Sequence, residues 1–442
     1  MEMKLNFYIL WVAGISHKEC IAVPDNKVKT LGVNTRCIHA GFSTDPATGA
    51  ASVPVYQSAG FAYDTANDLA NVFTGKKYGH IYSRISNPTL IMLEQRLAKI
   101  DQGIGSVVTA TGLAAISGVI FALCQSGDHI VASQSLFGGT LDLFDDTLAK
   151  LGIQTTFVDV TDPRTVESAI NDRTQLIFVE VISNPRLDIP DLKLLSHLAH
   201  QNDIPLIADT TLTPCHVLDA SLAGVDVAVY SGTKYVSGNG GILSGVVTDF
   251  GKFNWAGSRS EDVKNSAQKF GKMALLERVR WHVLHNIGAT LTPNSAYVMM
   301  QGVETMGVRI ARQCQNAYEL AQFFESHPLV SQVNYPGLAA HPQYSLAAEQ
   351  FNDMFGGLLT ISLSTKADCF NCIDRLNIVK NMANLGDIRT MIIHPESTIY
   401  ARRPREHQEA AGVTPELLRI SVGLEDIEDI KEDFDQALKG VG

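Results

Sequence analysis

Between residues 90 and 285, short apolar runs rich in β-branched side chains alternate with stretches whose apolar positions recur at helical spacing. The runs at 106–109, 129–132, 154–158, 176–180, 206–208 and 225–229 read as buried strands, and 140–151, 163–170 and 190–202 as helices between them. Such alternation predicts an α/β fold whose mostly parallel central sheet is covered by helices on both faces. Residues 31–86 behave differently. Rich in Gly, Pro, Ser and Thr and without a helical period, they predict an extended arm that packs on something else. Asn87-Pro88 marks the turn at which the first helix of the core begins. Beyond 286 a long helical stretch and a final acidic helix set off an α+β C-terminal domain. The pattern thus divides the chain into an extension (1–30), an arm (31–86), a core domain (87–285) and a C-terminal domain (286–442). The extension holds an apolar run at 7–15, too short for a membrane span of about twenty residues. No good small-residue cleavage site follows it, so it reads as a disordered or docking extension.

Composition narrows the function classes. A chain of 442 residues, 45% hydrophobic and 18% charged, can bury a large core and has room for two or three domains. Its net charge of −11 argues against nucleic acid or an anionic membrane as the main partner. Seven cysteines, an odd number without regular spacing, fit a reducing compartment such as the cytoplasm better than a disulfide framework. Cys369-Phe-Asn-Cys372 has no second pair and offers at most half of a structural zinc site, so no metal is expected.

The candidate chemistry collects where apolar strands end. The run Asp226-Val-Ala-Val-Tyr stops at Ser231-Gly-Thr-Lys234, which delivers a lysine onto the Gly-rich loop Ser237-Gly-Asn-Gly-Gly241. Burial there would depress the lysine pKa and make the amine a nucleophile toward a carbonyl. Asp209 ends another apolar strand, and in an α/β sheet both residues would lie at carboxyl ends of strands, where ligands bind. A lysine for a Schiff base and an aspartate for a pyridinium nitrogen are the pair that pyridoxal phosphate requires. At Thr109-Ala-Thr-Gly112 a strand turns directly into a helix, whose first amides form a phosphate site. Tyr82 and Arg84, two apart on an extended segment, point the same way and can hold a phosphate between them. Asn184 follows a strand and can donate to a ligand oxygen. Phe137, before two glycines, suits a ring lying flat on a planar ligand.

Taken together, these stretches resemble the pyridoxal-phosphate enzymes of cysteine and methionine metabolism. That group includes cystathionine γ-synthase, cystathionine γ-lyase, methionine γ-lyase and the homoserine-ester sulfhydrylases. The matches run in family order from Thr35 to the C-terminus: Tyr82-Ser-Arg-x-x-Asn-Pro-Thr89, Gly112-Leu-Ala-Ala-Ile116, Phe137-Gly-Gly-Thr140, Ser183-Asn-Pro185, Ala208-Asp-Thr-Thr211, Ser231-Gly-Thr-Lys234, Asn334-Tyr-Pro-Gly-Leu338, His394-Pro395 and Leu418-Arg-Ile-Ser-Val-Gly-Leu424. The resemblance implies an aspartate aminotransferase-like fold of type I. It implies Lys234 as the Schiff-base lysine and proton carrier, and Asp209 as partner of the pyridinium nitrogen. Ser231, Thr233 and the amides of Gly112 and Leu113 match the phosphate cradle, Asn184 matches the residue near the ring hydroxyl, Thr211 is a further cofactor-binding residue, and Phe137 stacks on the ring. Arg419, with Asn384 beside it, matches the clamp for the substrate carboxylate. Tyr82 and Arg84 match residues that reach the phosphate of a neighbouring subunit, which implies a homodimer with shared sites, usually doubled to a homotetramer.

Within the group, the segments at 251–255, 384–387, 392–395 and 408–415 resemble the O-acetylhomoserine sulfhydrylase branch. The expected reaction is γ-substitution on an O-acyl-L-homoserine, acetyl favoured, by sulfide or a small thiol, giving homocysteine or methionine. The alternatives are a C–S lyase of the cystathionine or methionine γ-lyase type, or substitution by a non-standard acceptor. Three departures bear on this choice. Phe137 stands where most relatives have a tyrosine; a ring without a hydroxyl cannot protonate a leaving group, and a carboxylate leaves without one. Glu396 and Tyr400 stand where the sulfhydrylases usually have alanine and histidine, and a carboxylate near the substrate would repel an acidic acyl tail. The loop Gly238-Asn-Gly-Gly241 replaces a Gly-His or Gly-Gln loop.

Overall fold

The computed structural model describes residues 31–440 apart from 42–43 and 46–47, so the expectation for residues 1–30 lies outside the described residues. Seven strands form the central sheet: β1 (Gly105–Thr109), β2 (His129–Ser133), β3 (Gln154–Val158), β4 (Thr174–Glu180), β5 (Leu206–Asp209), β6 (Val227–Tyr230) and β7 (Gly245–Asp249). A second, separate sheet comprises β8 (Gln332–Asn334), β9 (Leu358–Ser362), β10 (Lys380–Asn381), β11 (Met391–Ile393) and β12 (Leu417–Ser421). The architecture is α/β, as the alternation predicts. The chain gathers into two compact units.

The first unit comprises Met1–Cys124, Asp226–Thr233 and Gly241–Glu304. In it β7 lies between β1 and β6 and runs antiparallel to both. The helix Gly112–Leu123 is apolar almost all round, which suits its burial against β6 and β7. Glu94 and Arg280 form an ion pair at 2.7 Å with side chains 3% and 5% exposed, and Glu94 Oε1 also accepts from the amide of Val108. Burial of this kind is tolerated only because both charges are paired. Two short helices, Val33–His39 and Ala66–Phe73, interrupt the arm expected to be extended. The second begins at Thr65, whose hydroxyl accepts from the Asp68 amide and donates to its carboxylate. That local cap outweighs the turn-rich composition around it.

The second unit comprises Gln125–Val225, Lys234–Gly240 and Thr305–Gly442. It holds β5, β4, β2 and β3, each parallel to its neighbour. β2 and β4 are buried at every position, and they read as unbroken apolar runs because both faces are covered. β3, at the sheet edge, alternates exposed with covered positions. The stretch expected as a helix over 140–151 begins at Gly138 and widens into a π-helical turn over Leu143–Leu148. The second sheet packs its core beneath the helices Met306–Glu325 and Ile427–Lys439, where Phe324 and Phe434 meet edge-on at 5.0 Å. Both thiols of the C-x-x-C stretch lie in this core. Cys369 donates to the Glu416 carbonyl at 3.1 Å, and burial pushes both thiols up to about 12. Thiols held in that state pack as small apolar groups and are poor nucleophiles or metal ligands.

Candidate active site

In the second unit, two acidic residues end neighbouring parallel strands at the same level. Glu180 closes β4 and Asp209 closes β5, and the two are register partners. Asp209 Oδ1 accepts from the amide of Thr211 at 2.8 Å. Thr211, expected at the cofactor, therefore has its backbone fixing the aspartate. Burial raises the pKa of both acids, and the charge of Asp209 raises Glu180 further. Hydrogen bonds from Thr211 oppose the rise at Asp209, as those from the amides of Phe137 and Asn184 do at Glu180.

Lys234 is largely buried, and its pKa falls from the usual 10.5 to about 8, first through burial and then through the positive charge of Arg419. Its ammonium donates to Asn384 Oδ1 at 2.5 Å. Arg419 sits on the buried strand β12, where Nη2 donates to the Asn384 carbonyl at 2.9 Å and Nη1 to Asn184 Oδ1 at 3.1 Å. Lys234, Asn384, Arg419 and Asn184 are thus one hydrogen-bonded chain. Because a guanidinium only donates, it fixes the orientation of Asn184: Oδ1 is committed and the Nδ2 donor remains for a ligand. Arg419 Nε is buried and has no hydrogen-bond partner among the described residues. A guanidinium in that state is suited to a carboxylate.

The turn that presents Lys234 is pinned from below. Arg309, on the helix Met306–Glu325, donates to the carbonyls of Tyr235 at 2.7 Å and Val236 at 3.0 Å. From the same helix Gln313 donates to the carbonyls of Asp387 and Val422, and Asn316 to those of Gly423 and Glu425. Gly386 has φ +70° and lies so close to the lysine turn that a Cβ would fall 2.7 Å from the amide nitrogen of Tyr235. Only glycine fits there.

In the first unit, Thr111 caps the helix Gly112–Leu123, its hydroxyl accepting from the Ala114 amide at 3.1 Å. Ser231 packs against the helix start: a Cβ on Gly112 would fall 2.9 Å from the Cβ of Ser231. Gly112 and Ser231 are therefore brought together, with the amide of Leu113 in the same first turn. The Thr233 hydroxyl accepts from the Ser244 amide at 2.9 Å and donates to its carbonyl at 3.2 Å. Tyr82 is 45% exposed and bridges to Gly60. The guanidinium of Arg84 lies 5.6 Å from the Tyr82 ring centre and donates to the carbonyl of His285.

The departures sort differently from their expectation. Glu396 does not bring a free carboxylate to the substrate. It pairs with Lys366 at 2.5 Å, and that ammonium neutralises it. Tyr400 is fully buried, with its hydroxyl on the carbonyls of Leu136 and Asn184. Glu180, which accepts from the amides of Phe137 and Asn184, was not among the expected site residues. A charged side chain at the buried end of an apolar strand is the signal that would have found it.

In the second unit, a buried amine of lowered pKa and a buried carboxyl at a strand end suit a pyridine aldehyde; in the first, a helix start at Gly112 closed on by Ser231 suits a phosphate. Residues 34–439 match the family model for Cys/Met metabolism PLP-dependent enzymes. Among curated relatives, a sulfhydrylase of Fusarium oxysporum f. sp. lycopersici is 36% identical over 91% of this chain and 96% of its own. An O-acetyl-L-homoserine sulfhydrylase of Thermus thermophilus is 36% identical over 91% of this chain and 98% of its own. A solved Campylobacter jejuni structure, described as an O-acetylhomoserine (thiol)-lyase and carrying a pyridoxyl-lysine monophosphate, superposes with a TM-score of 0.87 at 32% identity, covering 92% of this chain and all of that one. Cystathionine and methionine γ-lyases also occur among the matches. The chain belongs to the pyridoxal-phosphate-dependent enzymes of cysteine and methionine metabolism.

Proposed function

We propose that the protein catalyses γ-substitution on an O-acyl-L-homoserine, the acetyl ester favoured, with sulfide or a small thiol as acceptor. The observation that carries this reading is the chain from Lys234 through Asn384 and Arg419 to Asn184, which joins an amine of lowered pKa to a guanidinium with an unpartnered N–H. Lys234 would hold the cofactor's carbonyl carbon, Asp209 its ring nitrogen, and Ser231, Thr233 and the amides of Gly112 and Leu113 its phosphate. Pyridoxal phosphate, when bound, supplies the electron sink for ionisation at the substrate's Cα. Arg419 binds the substrate carboxylate through two N–H groups, Asn384 holds that guanidinium and the lysine in register, and Lys234 Nζ takes the Cα proton and returns it.

In the net reaction the Cγ–O bond breaks, the electron pair leaves with the carboxylate, and hydrosulfide forms the new Cγ–S bond. The products are homocysteine and the free carboxylate, and atoms and charge balance without a further proton. Phe137 agrees with this choice, since its ring has no hydroxyl to protonate a thiolate leaving group. We further propose that Tyr82 and Arg84 serve the phosphate of a neighbouring subunit, making a dimer the smallest active form. No helix among the described residues is long and apolar enough to cross a membrane. Assay of the purified enzyme with O-acetylhomoserine, O-succinylhomoserine, cystathionine and methionine, each with and without sulfide, tests the reading. Fastest turnover of an ester with sulfide is expected; sulfide-independent keto-acid release from methionine as the fastest reaction would replace it with the lyase.

A further inference from the structure

Leu136 C=O and Phe137 N–H are the two ends of one planar peptide group. The structure grips both ends. The hydroxyl of Tyr400 lies 3.0 Å from the Leu136 oxygen, and Glu180 Oε1 accepts from the Phe137 nitrogen at 2.6 Å. The same two side chains also hold Asn184 at its own backbone: Glu180 Oε2 accepts from its nitrogen at 3.1 Å, and the Tyr400 hydroxyl lies 3.3 Å from its oxygen. With Oδ1 of Asn184 on Arg419, every group of that residue except Nδ2 is engaged. Residues beside Tyr400 reinforce the grip. Arg403 reaches the Gly138 carbonyl at 3.4 Å and pairs with Asp142 at 2.7 Å, on the short helix that follows Phe137.

We propose that Tyr400, acting with Glu180, is a positioning residue of the site: by pinning the 136–137 peptide and the backbone of Asn184 together, it sets the direction in which the Phe137 ring and the Asn184 Nδ2 donor face the pyridoxal ring. This rests on the site reading above. The departure at position 400 thereby gains a purpose, because a phenol reaches both carbonyls from a buried ring, and its hydroxyl, not its bulk, carries the effect. Both loops belong to the same compact unit as Tyr400, so the grip is made within one subunit.

The test compares holoenzyme of wild type, Tyr400→Phe, Glu180→Gln and the double variant. Tyr400→Phe keeps the buried ring and removes only the hydroxyl. Glu180→Gln sets an NH2 group against one of the two amides. The readouts are visible circular dichroism of bound pyridoxal phosphate, the dissociation constant of pyridoxal phosphate, and the thermal midpoint. Tyr400→Phe is expected to fold, to change the visible dichroism, and to weaken pyridoxal phosphate about two- to tenfold, the share of one neutral hydrogen bond. The double variant is expected to lose less affinity than the product of the single losses, because both side chains hold the same peptide. Wild-type dichroism and wild-type affinity in Tyr400→Phe overturn the positioning role even where the thermal midpoint drops. A wild-type protein that shows no cofactor signal at all overturns the site reading, and the proposal with it.

Discussion

The two ends of Ser231-Gly-Thr-Lys234 are built on opposite principles. Around Ser231 and Gly112 the structure uses smallness: a helix start, a capping threonine, and a glycine whose missing Cβ lets a serine approach. Around Lys234 it uses long polar side chains that span the sequence, with Asn384 150 positions away and Arg419 bonded to Asn184 235 positions away. The first arrangement offers backbone amides and tolerates little added volume. The second offers charge and depends on partners that only the folded chain brings together. A substitution in the first is therefore felt as crowding, and one in the second as a lost or stranded charge.

The sharpest break in that contrast is Lys234→Ala, which removes the amine itself. It should abolish visible absorption of bound pyridoxal phosphate and lower kcat by about 10²- to 10⁴-fold, as loss of a proton-transfer group does; retained absorption would overturn the role. Next in size, Arg419→Ala should cost about 2–5 kcal/mol in kcat/KM by removing one side of a desolvated charge pair. Cofactor absorption should survive, so the loss separates substrate binding from cofactor binding. On the crowded side, Gly112→Ala should weaken pyridoxal phosphate about tenfold, since forcing a methyl group against Ser231 costs about 1–3 kcal/mol. Wild-type affinity in that variant would show that the cradle has room to spare.

Titration probes the charged side alone. Capture of pyridoxal phosphate requires the neutral amine, so its rate should rise with pH around a midpoint of about 8, well below the usual 10.5. In the cofactor-free protein the folded state binds fewer protons than the unfolded one between those values, so stability should rise with pH across that window. A midpoint at the ordinary lysine value would mean that the amine is not desolvated. The smallest effect is expected of Glu396→Gln. An ion pair with a half-exposed lysine contributes about 0–1 kcal/mol, and relative rates with acetyl and succinyl esters should stay within about twofold of wild type.

Local pattern makes the strand ends legible, and with them Lys234 and Asp209, because an apolar run that stops at a polar residue is visible within ten positions. Asn384 and Arg419 enter only through the resemblance to known enzymes, since nothing near them in sequence marks them as partners of the lysine. Glu396 shows the reverse. Its position suggests a charge at the substrate, but only the fold reveals Lys366, thirty positions earlier, that neutralises it. The hold of Tyr400 on two loops escapes for a related reason: it acts on backbone groups, which leave no trace in a residue pattern, whereas Glu180 is marked by its place at the end of a buried apolar run. The short helix Ala66–Phe73 is missed although Thr65 and Asp68 announce it, because the surrounding Gly and Pro outweigh a single cap.

One helix, Met306–Glu325, holds the lysine turn through Arg309 and the segments that carry Asn384 and Arg419 through Gln313 and Asn316. The two reactive groups therefore have no independent way to loosen. On heating, catalytic inactivation should coincide with melting of that helix, as followed by amide hydrogen exchange, leaving no temperature at which a folded but slack enzyme persists.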